Sequence, residues 1–249
     1  MKVIVNNIAT EYTDDGTGQV IFMLHGWLDS LHSFDSLADH LSKSKRVIRL
    51  DLPGFGQTEI PPESWVLDDY ISFVAAFITK LKLTDYVLLG HSFGGRIAIK
   101  GCGGGQLQPK ALILIAAAGL AQRKTARNYA YTAVAKVGKL VTLVPPLYFW
   151  RDRLRSALYR SAKSDYLTSQ HLRSIYLAVI SEDLTSWAQK LKYPTLIIWG
   201  ADDDQTPVAD GEQLSQLIAG SKLIVIPETG HFVHQQATNQ VIDAMEYIR

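Results

Sequence analysis

Apolar residues arrive along this chain in short unbroken runs, each followed by a turn and then by a stretch with helical spacing. Val20–Leu24 (VIFML) passes through His25, Gly26 and Trp27 into an amphipathic stretch at 34–42. Arg46–Leu50 (RVIRL) leads into DLPGFG, and residues 65–83 then carry Val66, Tyr70, Val74, Phe77 and Leu81 on one helical face. The run at 86–89 (YVLL) leads into GHSFGG and a helix-compatible stretch at 96–100. Ala111–Ile115 (ALILI) comes next. Much later, 195–199 (TLIIW) precedes a helix near 209–218, and 223–226 (LIVI) leads through PETGH to a last helix predicted over 235–248. Continuous apolar strands separated by helices specify an α/β protein, a mostly parallel sheet with helices on both faces. The opening KVIVNNIATEYTDDGTG reads differently, as an antiparallel hairpin at the sheet edge.

In such sheets ligands bind beyond the carboxyl ends of the strands. Polar residues directly after an apolar run therefore belong to the active face. This selects 25–27, 51–56, 90–95, 200–207 and 229–232 before any motif is considered.

Composition narrows the picture further. With 47% hydrophobic and 20% charged residues, wholesale disorder is excluded. Twenty-five Lys and Arg stand against 24 Asp and Glu, so no global field points to nucleic acid. One cysteine, Cys102, makes neither an internal disulfide nor a multi-cysteine zinc site. MKVIVNNIATEY lacks the apolar run of a signal peptide, and no stretch of about 18 uncharged apolar residues occurs. The expectation is a cytoplasmic protein without a transmembrane span. The balanced charge is unevenly placed: residues 120–192 carry about +9, leaving about −8 elsewhere. That middle segment reads as an insertion, and its basic face could meet an acidic partner or an anionic membrane surface.

Gly90-His91-Ser92-Phe93-Gly94 fits G-x-S-x-G between a strand and a helix, the setting of a nucleophile elbow. The turn is so tight that positions two before and two after the serine approach each other, so both are glycine. A serine needs a base. Among seven histidines, His231 follows the last apolar strand and so reaches the active face; His234 is the alternative. Three aspartates on one loop, Asp202, Asp203 and Asp204, could orient that imidazole, and position alone does not choose among them.

These marks together (HGW at 25–27, DLPGFGQT at 51–58, GHSFGG at 90–95, GADDDQTP at 200–207, GHF at 230–232) resemble the α/β-hydrolase fold serine hydrolases. The likeness is to the compact bacterial branch of esterases, C–C bond hydrolases and cofactor-free haloperoxidases. It covers nearly all the chain outside 120–192, and the order Ser, Asp, His fits. The family places its acid three residues after the loop glycine and four before the proline, which implies Asp203. It implies an oxyanion hole from the backbone N–H groups of Trp27 and Phe93. It also implies that 120–192 is a helical cap inserted after the strand at 111–115, with the hydrolase core at 1–119 and 193–249. Trp27, Phe93 and Phe232 are the candidate substrate-contacting side chains. Serine at 92 argues against the epoxide hydrolases and haloalkane dehalogenases of this fold, which use aspartate there. GHSFGG also differs from the GNS-type elbow common among meta-cleavage C–C hydrolases.

The resulting expectation is cleavage of a small or medium carboxylic ester through an acyl-enzyme, with no cofactor and no metal. The alternatives are a C–C hydrolase or perhydrolase using the same residues, or a triad-bearing receptor that signals through its lid.

Overall fold

A computed structural model describes residues 1–61, 64–120 and 173–248. The chain divides into two compact units, Met1–Leu120 with Ala178–Arg249, and Ala121–Leu177. The helical cap expected over 120–192 falls for the most part on 121–172, outside the described residues.

Eight strands form one sheet: β1 (Lys2–Val5), β2 (Ile8–Gly16), β3 (Val20–Leu24), β4 (Arg46–Leu50), β5 (Val87–His91), β6 (Ala111–Ile115), β7 (Thr195–Gly200) and β8 (Lys222–Ile226). Their order is β1-β2-β4-β3-β5-β6-β7-β8. β1 and β2 are antiparallel and make the expected hairpin at one edge. Val5 pairs with Ile8, so Asn6 and Asn7 form a two-residue turn, both at positive φ (47° and 64°). Asparagine tolerates that conformation better than most side chains, which is why NN can close a hairpin here. From β4 to β8 every pairing is parallel.

The expected strands match the observed ones within two residues. β3, β5, β6 and β7 are buried along their whole length, as strands covered on both faces must be. Edge strands β1 and β8 are more exposed.

The described helices are α1 (Asp35–Leu41), α2 (Leu67–Lys80), α3 (Phe93–Gly103), α4 (Arg173–Ile180), α5 (Thr185–Ala188), α6 (Val208–Leu217), α7 (Val233–Gln236) and α8 (Thr238–Met245), with a 3-10 turn at Leu31–Phe34. α2, α3, α5 and α6 pack in succession, while α1, α7 and α8 form a second group with the 3-10 turn. Both groups reach β7, one from each face of the sheet. The single last helix expected over 235–248 is instead two. Ala237 leaves helical geometry (φ −136°, ψ 48°), and the Thr238 hydroxyl donates to the His234 carbonyl at 2.9 Å, competing with the helical backbone.

Register aligns the strand ends. Leu24 stands beside Leu50 and Gly90, His91 beside Ile115, and Gly200 beside Ile226. The chain runs from β3 outward to β4, then returns past β3 to β5. The order thus reverses between β3 and β5, the kind of switch point beyond which open α/β sheets bind ligands, and 25–27 and 91–93 follow those two strands.

Candidate active site

Ser92 follows directly on β5 and precedes α3, at φ 49° and ψ −106°. A non-glycine residue at positive φ is strained, and here neighbouring backbone holds it. The Ser92 N–H donates to the Ile115 carbonyl at 3.0 Å, and its carbonyl accepts from Ala118 at 3.1 Å. The tight turn inferred from the motif is present: a methyl on Gly90 would lie 2.6 Å from the Gly94 carbonyl oxygen. α3 starts immediately after Ser92, three residues earlier than the helical spacing suggested. The Phe93 N–H, at the first helical position, therefore has no partner within the helix, and the helix dipole points at the same spot.

His231 and Asp203 come together from the loops after β8 and β7. The His231 Nδ1–H donates to Asp203 Oδ2 at 2.9 Å, with both side chains buried. Asp203 is thus the loop acid that meets the imidazole. Asp202 and Asp204 are not its partners among the hydrogen bonds of the described residues. The Asp203 carboxylate is well supplied with donors. The Gln205 and Thr206 amides each reach Oδ1 at 2.9 Å, and the Thr206 hydroxyl reaches Oδ2 at 2.8 Å. Burial pushes the Asp203 carboxyl up, but the His231 hydrogen bond and charge and the two amides outweigh it, so its pKa is lowered and it stays ionised. Trp199 anchors this loop: its Nε1–H donates to the Thr206 carbonyl at 2.8 Å.

His234, the alternative base, is buried and bonded to Ser33 Oγ at 2.9 Å. Burial and the neighbouring His231 hold its pKa down to about 3. His25 is also buried. Its Nδ1–H donates to the Gly26 carbonyl at 2.7 Å, and its Nε2 accepts the Leu52 N–H at 2.9 Å. The His25 carbonyl accepts the Gly94 N–H at 3.0 Å, tying the HGW loop to the start of α3. Asp51 secures the next loop by accepting the Leu31 and Gln57 amides at 2.7 Å each.

Trp27 and Phe93 lie side by side, ring centroids 5.3 Å apart. The Phe93 ring is buried against Tyr70 and Phe55, so most of its surface is spent on packing. Trp27 and Phe232 are half-buried, Phe232 against His91 and His231. Three contributors escaped the sequence reading: Thr206, Phe55 and His91. For Thr206 a signal existed, since an Asp followed three residues later by Thr suits a side-chain-closed turn.

The sequence model of the alpha/beta hydrolase family matches residues 21–244. The chain belongs to that family. This alpha/beta hydrolase is 26% identical over 238 residues to a dihydrolipoyllysine-residue acetyltransferase component of an acetoin-cleaving system from Pseudomonas putida. That match covers 92% of this chain but only 62% of the relative. It is also 26% identical to a 2-hydroxy-6-oxo-6-(2'-aminophenyl)hexa-2,4-dienoic acid hydrolase from Metapseudomonas resinovorans, over 92% of this chain and 83% of that one. Among solved structures, an esterase from Exiguobacterium antarcticum superimposes with a TM-score of 0.77 at 25% identity, covering 99% of this alpha/beta hydrolase and 98% of the esterase. Among the described residues of this hydrolase, no helix is long and apolar enough to cross a membrane.

Proposed function

We propose that this alpha/beta hydrolase cleaves carboxylic esters of small or medium acyl groups, with Ser92 as nucleophile, His231 as general base and Asp203 as the acid that orients it. The observation that carries the proposal is the buried 2.9 Å bond from His231 Nδ1 to Asp203 beside a strained serine elbow. With Nδ1 committed to the carboxylate, Nε2 is left to take a proton. Ser92 Oγ attacks the ester carbonyl and passes its proton to His231. The oxyanion is held by the Phe93 N–H and, from the loop after β3, by that of Trp27. The tetrahedral adduct collapses, the alkoxide leaves with the proton from His231, and Ser92 carries the acyl group. Water then attacks, deprotonated by the same imidazole, and releases the acid.

Hydrolysis of p-nitrophenyl esters from acetate to palmitate tests it. The expected result is a maximum at short or medium chains that Ser92→Ala abolishes. A second reading rests on the relatives: two are named as hydrolases of dienoates, the aminophenyl dienoic acid enzyme and a 2-hydroxy-6-oxo-2,4-heptadienoate hydrolase. Turnover of a vinylogous diketone with every ester left intact would replace the ester reading with C–C cleavage.

A further inference from the structure

The residue just before the proposed nucleophile carries a side chain that the mechanism above does not use. His91 is 1% exposed and lies between two other imidazoles, its ring centroid 4.9 Å from that of His231 and 4.4 Å from that of His234. Its Nε2 lies 3.1 Å from the His231 backbone carbonyl. A carbonyl only accepts, so Nε2 carries the proton. Nδ1 is buried without a hydrogen-bond partner and faces Gly26, where a methyl would come within 3.0 Å of it. Leaving a buried ring nitrogen unpaired costs free energy. The fold accepts that cost while keeping the other nitrogen on the base's own backbone.

From these contacts we infer that His91 is a positioning residue: its Nε2–H grips the His231 carbonyl and so fixes the distance from base to nucleophile. The inference rests on the reading of Ser92 and His231 given above. The bond spans 140 positions of sequence, yet joins the residue beside Ser92 directly to His231. Elbow and base are thereby linked through one side chain rather than only through the sheet. His234, held by Ser33, backs the His91 ring from its other side. Burial, with His234, His231 and His25 nearby, keeps His91 well below the ordinary histidine range, so it remains neutral beside the imidazolium that forms on His231.

Two substitutions separate the grip from mere packing. His91→Phe keeps a ring between His231 and His234 but removes the donor. His91→Gln places an amide N–H the same number of bonds from Cβ as Nε2. The probe is a fluorophosphonate, which phosphonylates an activated serine whatever the natural substrate. Expected are labelling of the wild type at Ser92, none in Ser92→Ala, and a kinact reduced about 30-fold in His91→Phe with KI within twofold. In His91→Gln, kinact should recover to within about fivefold of wild type. The inference is overturned if His91→Phe labels within threefold of the wild-type rate, or if folded His91→Gln is slowed tenfold or more. Should His91→Phe not fold, His91→Gln decides alone by the same thresholds. Labelling that persists in Ser92→Ala, or is absent from the wild type, instead removes the nucleophile assignment, and the positioning role falls with it.

Discussion

Asp203 accepts from His231, the Thr206 hydroxyl and two backbone amides, so its carboxylate is fixed in direction as well as charge. Asp203→Asn is therefore expected to leave the fold intact and to lower kcat by about 10^4-fold, because an amide offers N–H where His231 needs an acceptor. Steady-state kinetics beside a thermal melt would show it; a loss below tenfold would mean another acid substitutes. Thr206→Val removes one donor only, and a fall of about tenfold in kcat is expected from the same assay. The buried histidines govern a different property. His234, held down to about 3, stays neutral in the folded chain, whereas the unfolded chain takes up a proton below about 6.5. Stability is thus lost as pH falls below 6.5, by roughly 1–2 kcal/mol for this one group between pH 6.5 and 5. Urea unfolding at both pH values should show a pH penalty smaller by about that amount in His234→Gln. Equal penalties would show that His234 does not carry it.

At the scale of elements, the elbow is the joint on which the rest depends. A methyl on Gly90 meets the Gly94 carbonyl at 2.6 Å, and that backbone has no room to yield. Gly90→Ala should cost about 2–4 kcal/mol and lower Tm by about 4–15 °C; an unchanged melt would contradict the geometry. Strands were legible in the sequence because full burial leaves an unbroken apolar run, and VIFML, RVIRL and ALILI mark β3, β4 and β6 to the residue. The loops at their carboxyl ends were legible for the same reason, and with them the positions of Ser92 and His231. The break at Ala237 was not, because it depends on what the Thr238 hydroxyl bonds rather than on apolar spacing. Nor did position alone choose among three adjacent aspartates; the family's spacing implied Asp203, and the turn closed by Thr206 aims it at His231. Successive side chains diverge at a sharp turn such as the one at His91 and Ser92. That divergence is what carries the His91 ring to the His231 carbonyl.

Across the whole molecule, a small ionic network joins α2, α3 and the segment leading into α5. Lys100 Nζ lies 2.8 Å from both Asp68 and Glu182, while the Arg96 guanidinium donates to the Glu182 carbonyl. The lysine is nearly enclosed but its partners are not, Asp68 being 57% exposed. Lys100→Met would leave two carboxylates able to turn to water, so the expected cost is about 1 kcal/mol, or about 2–4 °C in Tm. A drop beyond 10 °C in a melt would show that the carboxylates stay trapped. The order of the strands has a consequence for synthesis as well. Ser92 and its strained turn are complete once β6 has paired, since Ile115 and Ala118 hold that backbone. The proposed acid and base, Asp203 and His231, follow 85 and 113 residues after Ala118. At about 5–20 residues per second, a ribosome needs roughly 6–23 s to travel from Ala118 to His231. On the proposed reading, the nascent chain carries throughout that interval a serine without its base, and hydrolytic competence waits for the loop after β8.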